Sequence, residues 1–164
     1  MSDPLTVDTV LARVDEAWAT LERTVQELTP AELATIRDPA GWAVKDHLLH
    51  LAAWERVLVG RLDGRPDHET LGLEPGLVAG DDEDAINDAI FRRQRDAAPG
   101  DVLESVRATH AAMRARLAAL RDGAGAPGGA ARAIAPPAAD WIEGNTWAHY
   151  LQHLGWIREL TGRR

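Results

Sequence analysis

The chain has 164 residues, 45% of them hydrophobic, with a formal net charge of -8 and a sequence pI near 5.2. That length and apolar content suit one globular domain, residues 1–164, burying roughly two-thirds of its unfolded surface. The acidic balance disfavours polyanions, so no nucleic acid is expected as a partner, and the absence of cysteine excludes a disulfide framework, a thiolate metal site and a cysteine nucleophile.

The opening MSDPLTVDTV is acidic and lacks the basic-then-apolar pattern of a signal peptide. No apolar run approaches the ~18 residues of a membrane span. A cytoplasmic protein with no membrane partner is the expectation.

From Thr6, apolar residues recur every three or four positions, from Val7 and Val10 through Trp18 and Leu21 to Leu28, which predicts an amphipathic helix. TPAE at 29–32 offers Thr29 as N-cap, Pro30 at the first helical position and Glu32 three residues on, a capping box opening a short helix that RDPAGW breaks. A second long helix is predicted from about Val44 to Leu62, with Leu48, Leu51 and Leu58 on its stripe, until DGRP stops it. Residues 64–80 hold four Gly and two Pro without a sustained period and read as a loop. An acidic turn then opens an extra short helix between about 82 and 97. Pro99-Gly100 is expected to end it, with Asp101 capping a helix that runs through Val102, Val106, Met113 and Leu117 to Leu120. Residues 121–140, rich in Gly, Ala and Pro, read as a long flexible loop before a last helix from about Gly144 to Thr161. No β-branched run alternates with period two, so the expected fold is an all-α four-helix bundle with one extra short helix.

The chemistry concentrates in six histidines. His149 and His153 stand one turn apart on the last helix, a spacing that lets two imidazoles hold one ion from a single face. Ile142, Thr146, Trp156, Ile157 and Leu160 fall within about 60° of His153, so the pair projects into the apolar side. The same placement also suits two core histidines hydrogen-bonded to neighbouring helices. On the second helix, His50 shares a side with Trp54 and Val57, and a bundle in which the second and last helices face each other brings it to the pair. Three imidazoles with open positions make a catalytic rather than a closed structural metal site. His47, about 60° round the helix from His50, reads as a rim or surface residue. Asp46, Glu55 and Glu159 are the carboxylates available to partner the histidines, and Asp46 and Glu55 are the candidate bases. His110 either lines the same cavity or is a core histidine beside Met113, and His68 sits in the loop. Trp54, Tyr150 and Asn145 complete the candidate pocket, Asn145 serving equally well as a helix cap.

Together, GWAVKDHLLHLAAWE (41–55) and GNTWAHYLQHLGWI (144–157) resemble the DinB/YfiT-like superfamily of four-helix bundles, and the segment INDAIFRRQRD between them is similar to its ClbS/DfsB-like members. The resemblance implies a single divalent ion, zinc or nickel, held by His50, His149 and His153. It also implies a menu of activities: metal-dependent hydrolysis, or transfer of a low-molecular-weight thiol cofactor to a small reactive molecule; the alternative is a non-catalytic small-molecule-binding or self-resistance protein of the ClbS/DfsB type, with or without a metal. Bundles of the superfamily pair as homodimers, and the stretches AAWERVL and RATHAAMRARLAAL offer Ala-rich faces for it. With no cysteine and no Ser-His-Asp order, activation of water or a thiol at a metal is the economical chemistry.

Overall fold

Helix formation begins where Thr6 and Thr9 exchange caps: the Thr9 amide donates to Thr6 Oγ1 at 3.2 Å and the Thr6 amide to Thr9 Oγ1 at 2.8 Å. The computed structural model describes residues 5–121 and 133–163, and from this cap α1 runs over Val7–Gln26. Thr29, Pro30 and Glu32 open α2, Pro30–Thr35, with the expected reciprocal capping box. The next helix, α3, spans Val44–Leu62. Then follow α4 (Asp67–Leu71), α5 (Pro75–Ala79), α6 (Glu83–Gln94), α7 (Pro99–Ala118), α8 (Ala138–Asn145) and α9 (Trp147–Thr161).

Helices α1, α3, α7 and the α8/α9 pair form the bundle, with α3 against α7, α1 against α9 and α7, and α8 and α9 against α3. Its core includes Val10, Val14 and Leu21 of α1, Leu48, Leu51 and Leu58 of α3, Met113 and Leu117 of α7, and Ile142 and Ile157. Among the described residues no strand occurs, only two isolated bridges, and no helix is long and apolar enough to cross a membrane.

Three boundaries differ from expectation. Residues 64–80 are not a plain loop: Leu71, Leu73, Leu77 and Val78 pack onto Ala53, Ile86 and Ile90, and this small second core pulls the segment into α4 and α5. Five-residue helices are too short to display a 3.6 period. Helix α7 starts at Pro99, which occupies its first turn instead of terminating α6, because proline's missing amide costs nothing there. The last helix is two: Thr146 departs from helical geometry (φ -130°, ψ -111°), and its Oγ1 donates to the Ile142 carbonyl at 2.6 Å. Of the flexible loop expected at 121–140, residues 122–132 lie outside the described residues, while Ala138–Asp140 already belong to α8.

Helix α3 has 14 buried residues of 19, because the bundle covers one side and α4 to α6 the other. That double cover has two consequences. It buries Ala52 and Ala53, so the first Ala-rich stretch is spent inside the chain's own core, whereas Ala108, Ala111, Ala112 and Ala115 of α7 stay exposed. It also drives polar side chains, His47 and His50 among them, into the interior.

Candidate metal centre

His50 of α3 meets His149 and His153 of α9, as the sequence suggests. The three ring centroids stand 4.9, 4.8 and 4.7 Å from one another, almost an equilateral triangle. One ligand nitrogen from each ring lies within 4.8 Å of the other two. His50 Nε2 and His149 Nε2 approach to 3.0 Å, while the Nδ1 atoms of both are buried without a partner among the described residues. Burial holds His50 down to about 3, helped by His149 and His47, and holds His149 down to about 4. Burial likewise pushes His153 far below the ordinary imidazole value. All three rings are therefore neutral at pH 7, the form that binds metal. Neutral nitrogens converging from two helices, with unpartnered buried atoms, are a donor set that fits a divalent ion.

A fourth histidine completes the cluster. Far from being a surface residue, His47 is 3% exposed, and its Nδ1 stands 3.0 Å from His153 Nδ1. Its Nε2 lies 3.2 Å from Asp38 Oδ2, at an angle short of a hydrogen bond. A carboxylate beside Nε2 favours a proton on that nitrogen, which leaves His47 Nδ1 as an acceptor for the His153 Nδ1 proton. The His153 Nε2 lone pair is then free for an ion, an arrangement in which an outer carboxylate and imidazole fix a ligand's tautomer. Asp38 is itself held by accepting the Trp42 amide at 2.9 Å.

These histidines line a cavity of about 830 Å³. Trp42 forms one wall, 5.3 Å from His50 and stacked on Phe91 at 5.4 Å. Trp156 stands 4.6 Å from His153 and keeps 43% of its surface exposed, so it borders the opening instead of filling the core. A second cavity of about 400 Å³ adjoins the first through Glu83, His149 and Gln152.

Residues 13–160 match the family model described as the DinB superfamily. The chain belongs to the DinB superfamily. Among solved structures, this DinB-superfamily chain is similar in fold to an uncharacterised protein from Escherichia coli UTI89, with TM-score 0.65 and 14% identity over 97% of this chain and 94% of that one. It is also similar to the colibactin self-resistance protein ClbS in complex with a double-stranded DNA, with TM-score 0.64 and 12% identity over 98% of each chain. No curated protein matches the sequence. The ClbS complex overturns the expectation of no nucleic-acid partner, since the same fold is seen with a DNA duplex. Net charge sums the whole surface and does not decide what one face binds.

The remaining candidate residues of this DinB-superfamily chain divide between two other places. Glu55 and His110 do not join the histidine trio. Glu55 is about 140° round α3 from His50 and is 1% exposed. Its Oε1 accepts from Tyr150 Oη and from His110 Nδ1, the latter at 3.0 Å, and Trp18 stacks on His110 at 3.7 Å. Burial and the Glu55 charge push the Tyr150 phenol well up, so Tyr150 is the donor in this pair. Asp46 is also occupied structurally, accepting the Ala43 amide at 2.8 Å and Lys45 Nζ at 2.9 Å at the start of α3. Trp54 and Asn145 line the smaller cavity, where Trp54 donates to Asn87 Oδ1 at 3.1 Å and Asn145 to the Trp141 carbonyl at 2.7 Å. Asn145 therefore closes α8 and does not cap α9. His68 lies half-buried in α4. Sequence reasoning did not assign Asp38, Trp42 or the acidic turn of α6 to the site. Trp42 carried a signal, standing eight residues before His50, but Asp38 precedes a proline in a segment without periodicity.

Proposed function

We propose that His50, His149 and His153 hold a divalent ion, zinc or nickel, and that the chain is a metal-dependent hydrolase or low-molecular-weight-thiol transferase acting on a small reactive molecule. The observation that carries this reading is the triangle of neutral imidazoles lining an 830 Å³ cavity. When bound, such an ion supplies Lewis-acid activation of water or of a thiol near neutral pH. The protein's part is to keep the three rings deprotonated by burial, to direct the His153 tautomer through His47 and Asp38, and to offer Trp42 and Trp156 as apolar walls. Asp38, partly exposed where it lines the cavity, is the carboxylate placed to receive a proton, a role the geometry favours for it over Glu55 or Asp46, which are committed elsewhere.

A second reading, capture of a reactive molecule without turnover, is favoured by the fold it shares with a self-resistance protein. Because that relative is seen with duplex DNA, DNA belongs beside small molecules among the ligands to assay. Assembly as a homodimer through the exposed alanines of α7 accompanies either reading.

The test is metal analysis of the purified protein after incubation with zinc and with nickel. About one equivalent should be retained, and His50→Ala should lose it while circular dichroism stays helical. Wild-type protein that takes up neither metal defeats the reading. Catalytic consumption of an electrophile, such as an epoxide, in excess over protein separates the enzyme from the capturing protein.

A further inference from the structure

The rim of the large cavity is chemically one-sided. Asp38, Glu83, Asp84, Asp88 and Glu159 line it, and no lysine or arginine does. Elsewhere several acidic residues are paired, among them Asp15 with Arg114, Glu22 with Arg107, and Asp63 with Arg116, while others stand singly on the surface; what distinguishes the rim is that five carboxylates converge on one concavity. Among the described residues at the rim, only Asp88 has an arginine partner, Arg92 at 2.8 Å. Helix α6 delivers three of the five carboxylates in its first two turns, and the loop before α3 and the end of α9 deliver the other two. The same cavity presents Trp42 and Trp156. It also contains His50, 5% exposed, whose Nδ1 has no partner among the described residues.

We propose that this cavity selects a small organic cation, an apolar body carrying an ammonium or similar positive group. An aromatic face attracts a cation through its ring quadrupole, more strongly as water is excluded. Carboxylates converging on a concave opening reinforce one another's field and concentrate cations there. An acidic helix turn alone is a routine capping device. Here, however, acids from three separate segments meet two tryptophans around a cavity large enough for a ligand. The apolar body lies against Trp42 and Trp156, and the positive group remains near the rim. The proposal names the substrate class for the site described above, and so rests on reading that site as the reaction centre.

The experiment compares three probes of similar size on metal-free protein by calorimetry: benzyltrimethylammonium, benzyl alcohol and phenylacetate. A quaternary ammonium has no lone pair and cannot ligate an ion, so its binding reports the cavity alone. Benzyltrimethylammonium should bind about tenfold more tightly than benzyl alcohol at low ionic strength, with phenylacetate weakest, and added salt should narrow the gap. The exposed pair Glu83→Gln with Asp84→Asn should reduce the cation preference at least about threefold without changing helicity. Trp156→Ala should weaken the cationic and neutral probes together. Equal affinity for the three probes, tighter binding of phenylacetate, or a preference unchanged in the double variant would overturn the proposal. Metal uptake without charge preference defeats this inference alone, and charge preference in a protein that takes up no metal defeats only the metal reading.

Discussion

His47 shows how a single side chain acquires meaning only from its neighbours. On a helix drawn in isolation it sits about 60° round from His50, yet the Asp38 loop, Trp42 and α9 cover that side of α3 and bury it against His153. Its Nδ1 can accept the His153 proton only while its own proton sits on Nε2 near Asp38. Outer partners of this kind change metal affinity by 10- to 100-fold. His47→Ala is therefore expected to weaken metal binding by about that factor while all three ligands remain, and Asp38→Asn should weaken it less. Competition titration against a chromophoric chelator measures this. An unchanged affinity in His47→Ala would show that the His47–His153 contact is structural only.

At the level of elements, α3 carries both the core and the chemistry. Leu58 is fully buried against the bundle, and Leu58→Ala should cost about 2 to 5 kcal/mol in denaturant unfolding. A loss under about 1 kcal/mol would mean that the core closes around the void. The helices that the sequence displayed clearly were those with one apolar face, such as α1, where the period is uninterrupted over 20 residues. Helices α4 and α5 were hidden because each is a single turn and a half held by tertiary contacts of Leu71, Leu77 and Val78. The break at Thr146 was hidden for a different reason. Gly144 stands two residues before it but lies inside α8, and the break itself goes with a side-chain bond from Thr146 back to Ile142. For the site, the pair His149 and His153 was legible because one helical turn places two imidazoles together by geometry alone, and His50 joined it through the expectation that the second and last helices face each other. Glu55 was misleading, since a glutamate five residues beyond His50 looks close in sequence but faces the opposite side, where Tyr150 and His110 occupy it.

For the whole molecule, the buried imidazoles tie stability to pH and, on the proposed reading, to metal. The ordinary imidazole value is 6.5, and burial lowers His50 to about 3 and His149 to about 4. The unfolded chain thus takes up protons at a higher pH than the folded chain does. Below pH 6.5 protonation favours unfolding, the penalty from each group growing until the pH passes its folded value. Metal-free protein should hold constant stability from these groups above pH 6.5 and lose it steadily below. The interval between 6.5 and about 5 lies above the carboxylate range and isolates the histidines. Denaturant midpoints that do not fall across that interval would mean the rings are hydrated in solution.

An ion that binds only the folded triangle adds stability by mass action, about 2.7 kcal/mol at a free concentration 100 times its dissociation constant. For a chain of this size that corresponds to a rise in melting temperature of roughly 5 to 10 °C. The rise should grow with the logarithm of free zinc or nickel, disappear on chelation, and be absent in His50→Ala, where the ligands left on α9 no longer join it to α3. The coupling between helices is what matters here. His149 and His153 share one helix, so an ion held by them alone would secure no tertiary contact, whereas adding His50 ties α9 to the most buried helix of the bundle. Thermal melts at a series of buffered metal concentrations measure it directly. A wild-type melting temperature independent of free metal would show that the three imidazoles do not close around an ion.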